Sequence, residues 1–502
     1  MKQPTKLAII DLGSNSVRMI VVEIGSSGQW RVLDEERAIL RLGETLARGG
    51  SLHPALDTAK LVLSWLVTRA RALDTRKIVA VATAAVRSAR DGAAFAAALS
   101  RACDIQIRII SGGEEARFGF LGALNTLDLS DGNLVDIGGA SSEVSQFQAR
   151  SLKAAVSVPI GAITLQQAFW TSDPVQPEPL EEARRAAREA LRTALPEPAR
   201  GLPLAVLGGS FRSIAKVHRA AQGHEDAPLH NTHLPLAAIG DMLTALSRLP
   251  MEERLRVPGL AAHRAGIVLP ALCIADAIVS WLEPSEIVVS GSGLREGVLY
   301  DRLMPARQPV LDDVFRPSVK NLLFQIGEPP DDSLVAMAGE LLAALSPLLP
   351  APLMRLGRAA AQLRGVGRRI NYYGRHRHTF TLVQGARLFG LTYPEQLILA
   401  AAAAYEGPRR TRELLAPYRA DLNSQEIAQA QRLGLAVAFA EAICRTMPDA
   451  CGPVSATLSP SVIELSLHAL SAPLQLPYGE LDRLSLQFPK VYGRKLVARY
   501  GH

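Results

Sequence analysis

The stretch LAIIDLGSNSVRMIVVEI, Leu7 to Ile24, decides the fold. An apolar run (Leu7 to Ile10) enters a Gly/Ser/Asn turn and leaves along a second apolar run (Val17 to Ile24), the signature of a β-hairpin. The same pattern returns at NLVDIGGASSEVSQF, Asn133 to Phe147, where a strand again meets a glycine turn led by an aspartate. Around these hairpins the spacing predicts helices near 54–73 and 92–102 and a strand from Ile78 to Ala82. LAVLGGSFRSIAKV (204–217) and EIVVSGSGLREGVL (286–299) each read strand, glycine turn, helix. Alternating strands and helices predict an α/β protein. Two units that open alike predict an internal duplication, with domains at 1–130 and 131–305. Beyond 306 strand signals nearly vanish and Ala/Leu-rich helical patterns dominate from 333 to 447. Residues 306–502 therefore read as a third, mainly helical domain with one β-prone piece at Ser461–Leu467.

At 502 residues the chain exceeds what one hydrophobic core sustains. Its 48% apolar and 21% charged residues exclude disorder over most of its length. The N-terminal apolar run meets Asp11 too early for a signal-peptide core, and Leu397–Ala404 is too short for a membrane span. The four cysteines (Cys103, Cys273, Cys444, Cys451) form no CxxC pair, so the expectation is reduced thiols in a cytoplasmic protein. The net charge of +7 is uneven: residues 306–502 carry 22 Lys+Arg and 16 Asp+Glu, a surplus of 6, which leaves 1 for the rest. Within 355–419, 12 Arg face 3 Glu, an excess that favours a polyanionic partner.

Asp11-Leu-Gly-Ser-Asn-Ser16 puts a carboxylate at a strand end beside small polar residues. Such a turn presents N–H groups to an anion while the carboxylate holds a cation or its water. Asp136-Ile-Gly-Gly-Ala-Ser-Ser-Glu143 repeats this in the second unit, and the pair would hold a polyphosphate and its Mg²⁺ between them. In ISGGEEARFGFLGAL, Glu114 and Glu115 open a helix, either as acids complementing its dipole or as a base orienting water. Arg87, in VATAAVRSAR just past a strand end, is either a bidentate contact for phosphoryl oxygens or a surface arginine.

DLGSNS, ATAAVR, SGGEEA, DIGGASSE, VPIGAITL, LGGSFRSIAK and SGLREGVL resemble, in order and spacing, the motifs of the exopolyphosphatase / guanosine pentaphosphate phosphohydrolase family. The resemblance covers about residues 6–305. It implies a duplicated actin-like (ribonuclease-H-like) core of the sugar-kinase and Hsp70 superfamily, with a C-terminal domain resembling the HD phosphohydrolase fold. It further implies Glu115 as catalytic carboxylate, helped by Asp136 and Glu143. Asp11, Asp136 and Glu143 would be the Mg²⁺ ligands, with a monovalent cation such as K⁺ as a companion. Ser14, Asn15, Ser16, Arg87, Gly138, Gly139 and Ser141 would line the phosphate cradle. The implied activity is release of orthophosphate from inorganic polyphosphate, with guanosine pentaphosphate as the alternative substrate, a homodimer, a link to the stringent response and no nucleic-acid partner. A kinase or ATP-driven scaffold of the same fold would need an adenosine pocket, for which LGGSFRSIAK is the candidate, and a non-catalytic polyanion binder would rest on the C-terminal arginines.

The departures are Ala140 where the family has a third glycine, Ser142 for its Thr, and Arg90 for a frequent Asn. In the helical domain NYYGRHRHTF offers His376 and His378, but no His-Asp dipeptide occurs and AYEGPRR stands where histidines would continue. The expectation there is substrate binding or dimer support rather than a metal.

Overall fold

The computed structural model describes residues 4–501 apart from 171, 196, 224–226, 448–452 and 469–478. Two compact units divide between Val314 and Phe315.

In the first unit, β1 (Thr5–Leu12), β2 (Ser16–Ile24) and β3 (Trp30–Ile39) form an antiparallel meander, and β4 (Lys77–Ala82) and β5 (Ile107–Ile109) add in parallel beyond β1. The meander recurs as β6 (Gly132–Ile137), β7 (Ser142–Gln148) and β8 (Ser151–Val158). There β9 (Leu204–Leu207) and β11 (Ile287–Val289) add in parallel beyond β6, and β10 (Thr232–Leu234) closes the edge. This is the duplicated actin-like α/β core, with mixed sheets. Each sheet is buried by its own helices: Leu63, Leu66, Phe95 and Leu99 pack beneath the first, and Phe211, Ile214, Leu272 and Ile278 beneath the second. Near-continuous burial of β1 and β6 reflects helices on both faces, which is why both strands read as apolar runs.

The helix Gly112–Leu124 follows β5 and runs tightly against the helix Leu294–Leu303. A Cβ at Gly122 would lie 2.0 Å from the Gly293 carbonyl oxygen, and one at Gly297 only 1.8 Å from that of Phe118. The two helices therefore meet backbone to backbone.

Residues 309–311 belong with this α/β unit, although the change of texture at 306 drew the domain boundary there. Asn125 donates to the Pro309 carbonyl at 3.0 Å and accepts from the Leu311 N–H at 2.8 Å, and Arg150 Nε reaches the Leu311 carbonyl at 2.9 Å.

The second unit is mainly helical, built around the helix Ser424–Thr446, whose Gly434 lets the ring of Tyr405 pack against it. Arg364 is buried there, bonded to the carbonyls of Ala403 and Tyr405 and to Glu441 at 2.9 Å. The β-prone piece at 461–467 is the centre of a three-stranded sheet, β12 (Ser455–Leu458), β13 (Val462–His468) and β14 (Lys495–Gly501). β14 went unread because its residues pair in parallel with a strand far away in sequence. His376 is buried, its Nε2 3.9 Å from Glu406. Cys103, Cys273 and Cys444 are free thiols, and Cys451 lies outside the described residues. No helix among the described residues is long and apolar enough to cross a membrane.

Candidate functional site

The two hairpin turns are built alike. The Gly13 N–H donates to the Ser16 carbonyl at 3.2 Å, and the Gly138 N–H donates to the Ser141 carbonyl at 2.9 Å. They face each other closely: a Cβ at Gly139 would lie 3.1 Å from Ser14 Cβ, so glycine is required where the second turn meets the first. Ala140 takes no positive φ, so its methyl fits the turn. The N–H groups of Ser14, Asn15, Gly139 and Ala140 have no acceptor among the described residues, an arrangement suited to an anion.

Strand register sets the carboxylates. Asp11 and Asp136 hold equivalent places at the ends of β1 and β6; across the hairpin Asp11 faces Arg18 and Asp136 faces Glu143. The parallel strands β4 and β5 end at the same edge, where Thr83 N–H bonds the Leu12 carbonyl and Ile110 N–H the Ala82 carbonyl. The segments that follow them carry Arg87 and Glu115. Convergence at the carboxyl ends of parallel strands is the usual place for a ligand crevice in such sheets.

Local structure separates the two glutamates. Ser111 caps the helix Gly112–Leu124 by accepting from the Glu114 N–H, and Glu114 returns the bond to the Ser111 N–H at 2.9 Å, a complete capping box. Glu114 is further held by Arg108 at 2.6 Å, and the Ser111 bond keeps its carboxyl below the usual range. Glu115 instead turns into the cleft. Burial raises its carboxyl to about 7, opposed by Arg87, whose Nη1 lies 2.8 Å from Oε2. Burial likewise raises Asp11 to about 6 and lifts Asp136. Glu143 is pushed well up by burial and then by the charges of Glu115 and Asp136. Geometry brings the four carboxylates to one cleft. Asp136 pairs with Glu143 across β6–β7, and the two turns touch at Gly139 and Ser14. A Cβ at Gly112 would meet both Ser157, which bonds Glu143, and Arg87, which bonds Glu115.

Glu143 Oε1 accepts from Ser141 at 2.7 Å and from Ser157 at 2.8 Å. Ser141 thus serves Glu143, and Ser16 is buried at its strand start. Arg90 bonds the Gly49 carbonyl. Ser157 sits on β8 directly across from Glu143, a partner the sequence reading missed, because only the β7–β8 register brings it there. Ser157→Ala leaves Glu143 with one hydroxyl donor. Losing one donor to a buried carboxyl costs about 1–3 kcal/mol, so Tm falls by a few degrees and kcat by about tenfold; steady-state kinetics and a melt check this.

Among the described residues no three His, Cys, Asp or Glu side chains gather closely enough to hold one metal ion. Asp11, Asp136 and Glu143 therefore do not form a three-ligand protein cage. A cation held by one or two carboxylates and by phosphate oxygens is a different matter. Asp11 Oδ1 is buried without a hydrogen-bond partner, and Asp136 is desolvated, which fits such a site.

A second feature was also missed. A cavity of about 300 Å³ is lined by Arg18, Arg37, Arg212, Lys216, Arg264 and Arg295, with Glu35 as its one carboxylate. Burial, then repulsion from Arg18, pulls Arg212 and Arg264 down to about 10. Arg212 and Lys216 come from the helix Gly208–Ala221, the LGGSFRSIAK segment. Gly208, at φ 83°, lies against Asp136: a Cβ there would be 1.9 Å from Oδ1, so the cavity adjoins the carboxylate cleft. At least six of the twelve arginines in the C-terminal run are held in ion pairs. Arg355 pairs with Glu395, Arg364 with Glu441, Arg368 and Arg369 with Glu328, and Arg409 and Arg410 with Glu413.

A family profile described as the Ppx/GppA phosphatase family matches residues 20–305. Among solved structures, a Ppx/GppA family member from Aquifex aeolicus is similar at TM-score 0.53 and 24% identity, covering 60% of this chain and 98% of its own. An exopolyphosphatase from Cytophaga hutchinsonii is similar at TM-score 0.56 and 23% identity, with the same coverage.

Proposed function

The chain belongs to the Ppx/GppA phosphatase family, and from that premise we propose that it is an exopolyphosphatase, removing orthophosphate from the end of inorganic polyphosphate. The observation that carries the reading is the six-cation cavity beside the four-carboxylate cleft. A linear chain of phosphates needs many cations along its path, which is what this cavity supplies. The likeness to a structure described as an exopolyphosphatase supports the same class.

In this reading the terminal phosphoryl group lies between the two turns. The free amides of Ser14, Asn15, Gly139 and Ala140 stabilise its equatorial oxygens as charge redistributes. Glu115 takes a proton from a water whose oxygen attacks the terminal phosphorus. The bridging P–O bond breaks, the shortened chain leaves with that electron pair, and orthophosphate is released. Glu143, fixed by Ser141 and Ser157, shapes the field around Glu115. Mg²⁺, when bound, would neutralise phosphate charge, with Asp11 and Asp136 as the residues to hold it. Asp136→Asn should then raise the Mg²⁺ concentration for half-maximal activity about tenfold, one charged contact's worth. An unchanged titration would remove Asp136 from that role.

Guanosine pentaphosphate, which ends in the same phosphoanhydride, is the competing substrate within the family. Competition decides between them. Phosphate release from long polyphosphate is measured against rising guanosine pentaphosphate, and kcat/KM is expected to favour polyphosphate. A preference for the nucleotide overturns the substrate while leaving the hydrolytic chemistry in place.

A further inference from the structure

We propose that Arg87 is a substrate-released latch on Glu115: the ion pair holds the base idle, and an entering phosphate frees it by taking the guanidinium. The inference rests on the hydrolase reading above. Four carboxylates share the cleft, and among the described residues Arg87 is the cation that hydrogen-bonds directly to one of them. Its Nη1 holds Glu115 Oε2 at 2.8 Å and the Ile110 carbonyl at 2.9 Å. Both side chains are mostly withdrawn from water, 25% and 14% exposed, so the pair is poorly screened.

A carboxylate whose oxygen accepts from a guanidinium is a weaker proton acceptor, and Arg87 does oppose the upward shift that burial imposes on Glu115. The arrangement seen here is therefore not the one in which Glu115 works best as a base. A terminal phosphate carries more negative charge than a carboxylate and offers three oxygens to the planar fork of an arginine. Arg87 is anchored within reach of such a ligand. It sits on the short helix Ala84–Ser88, immediately after Thr83, whose N–H is tied to the end of β1. The same edge bears the phosphate-type turn. When Arg87 turns to phosphate, Oε2 is released to a water, and the nearby anion raises the proton affinity of Glu115 further. The base is thus switched on by the substrate it attacks.

The latch has a consequence that a fixed bridge would not have. Glu115 competes with phosphate for Arg87, so removing its charge must improve binding, and only while Arg87 is present. The probe is imidodiphosphate, whose P–N–P link resists hydrolysis, titrated by calorimetry into wild type, Glu115→Gln, Arg87→Met and the double variant. Glu115→Gln is expected to bind about tenfold more tightly than wild type, and Glu115→Ala to do the same. In the Arg87→Met background the Glu115→Gln change should alter Kd by less than about twofold. Equal tightening in both backgrounds means simple charge repulsion and overturns the latch. So does no tightening, or no binding by any form. Phosphate release from polyphosphate by wild type is followed in parallel: its absence sinks the hydrolase reading itself, whereas its presence with unaltered Glu115→Gln binding sinks the latch alone.

Discussion

Glu115→Gln lowers turnover roughly 10²–10⁴-fold, the contribution expected of a positioned general base, while phosphate-analogue binding is retained and tightens. The amide keeps the size of the side chain but carries no charge, so what is lost is the ability to take a proton and to hold Arg87 as an ion pair. The pH profile gives an independent reading. Burial raises Glu115 to about 7 in the free enzyme, and a base works deprotonated, so wild-type kcat/KM should fall as pH drops through about 7 and level off above it. That acidic limb should vanish in the variant.

Stability runs the other way. Glu115 and Asp11 have folded-state values near 7 and 6, above their ordinary 4.5 and 3.8. Between those values the folded state binds more protons than the unfolded one, so stability declines as pH rises through the window from about 4 to 7. Removing the carboxylate therefore leaves Tm at pH 8 unchanged or higher. A variant that lost activity by unfolding would show the opposite. A turnover loss under tenfold with intact Tm would pass the role to Glu143, since Glu114 is committed to the helix cap.

The second large effect belongs to the basic cavity. Arg212→Ala combined with Arg264→Ala removes two cations that Arg18 already crowds, and with them two donors to an anion in the cavity. At about 1.5–3 kcal/mol for each charged hydrogen bond, kcat/KM on long polyphosphate should fall at least roughly 10²-fold. The loss should shrink in high salt and be smaller for tripolyphosphate, whose three phosphates reach fewer cations. Equal losses on both substrates, measured as kcat/KM at fixed ionic strength, would show that the cavity does not track the chain.

Much of the core of this site was legible before any coordinate. Asp11 and Asp136 lie at identical points of two hairpins because strand, glycine turn and strand are each encoded within some eighteen consecutive residues. Local steric and hydrogen-bonding preferences suffice to form such a unit. The choice between Glu114 and Glu115 was also within reach, since Ser111-Gly-Gly-Glu114 is a capping-box spacing. The arginine count over 355–419 overstates the free charge there, because at least half of those arginines are held in ion pairs. Glu328 and Glu441, both outside that window, pair with three of its arginines.

By itself, the sequence determined the duplicated α/β core, the helical C-terminal unit, the two facing-type turns and the candidate carboxylates. All of these arise from short-range periodicity, turn chemistry and strand-end placement. Only the tertiary structure decided which groups surround them. Ser157 reaches Glu143 through strand register, and Arg87 reaches Glu115 through the parallel pairing that ends β1, β4 and β5 at one edge. Arg18 meets Arg212, Arg264 and Arg295 in one cavity from a position nearly two hundred residues or more away. The physical reason is range: a hairpin is stabilised by neighbours in the chain, whereas a charged site is made by side chains that folding brings into a shared, poorly screened space.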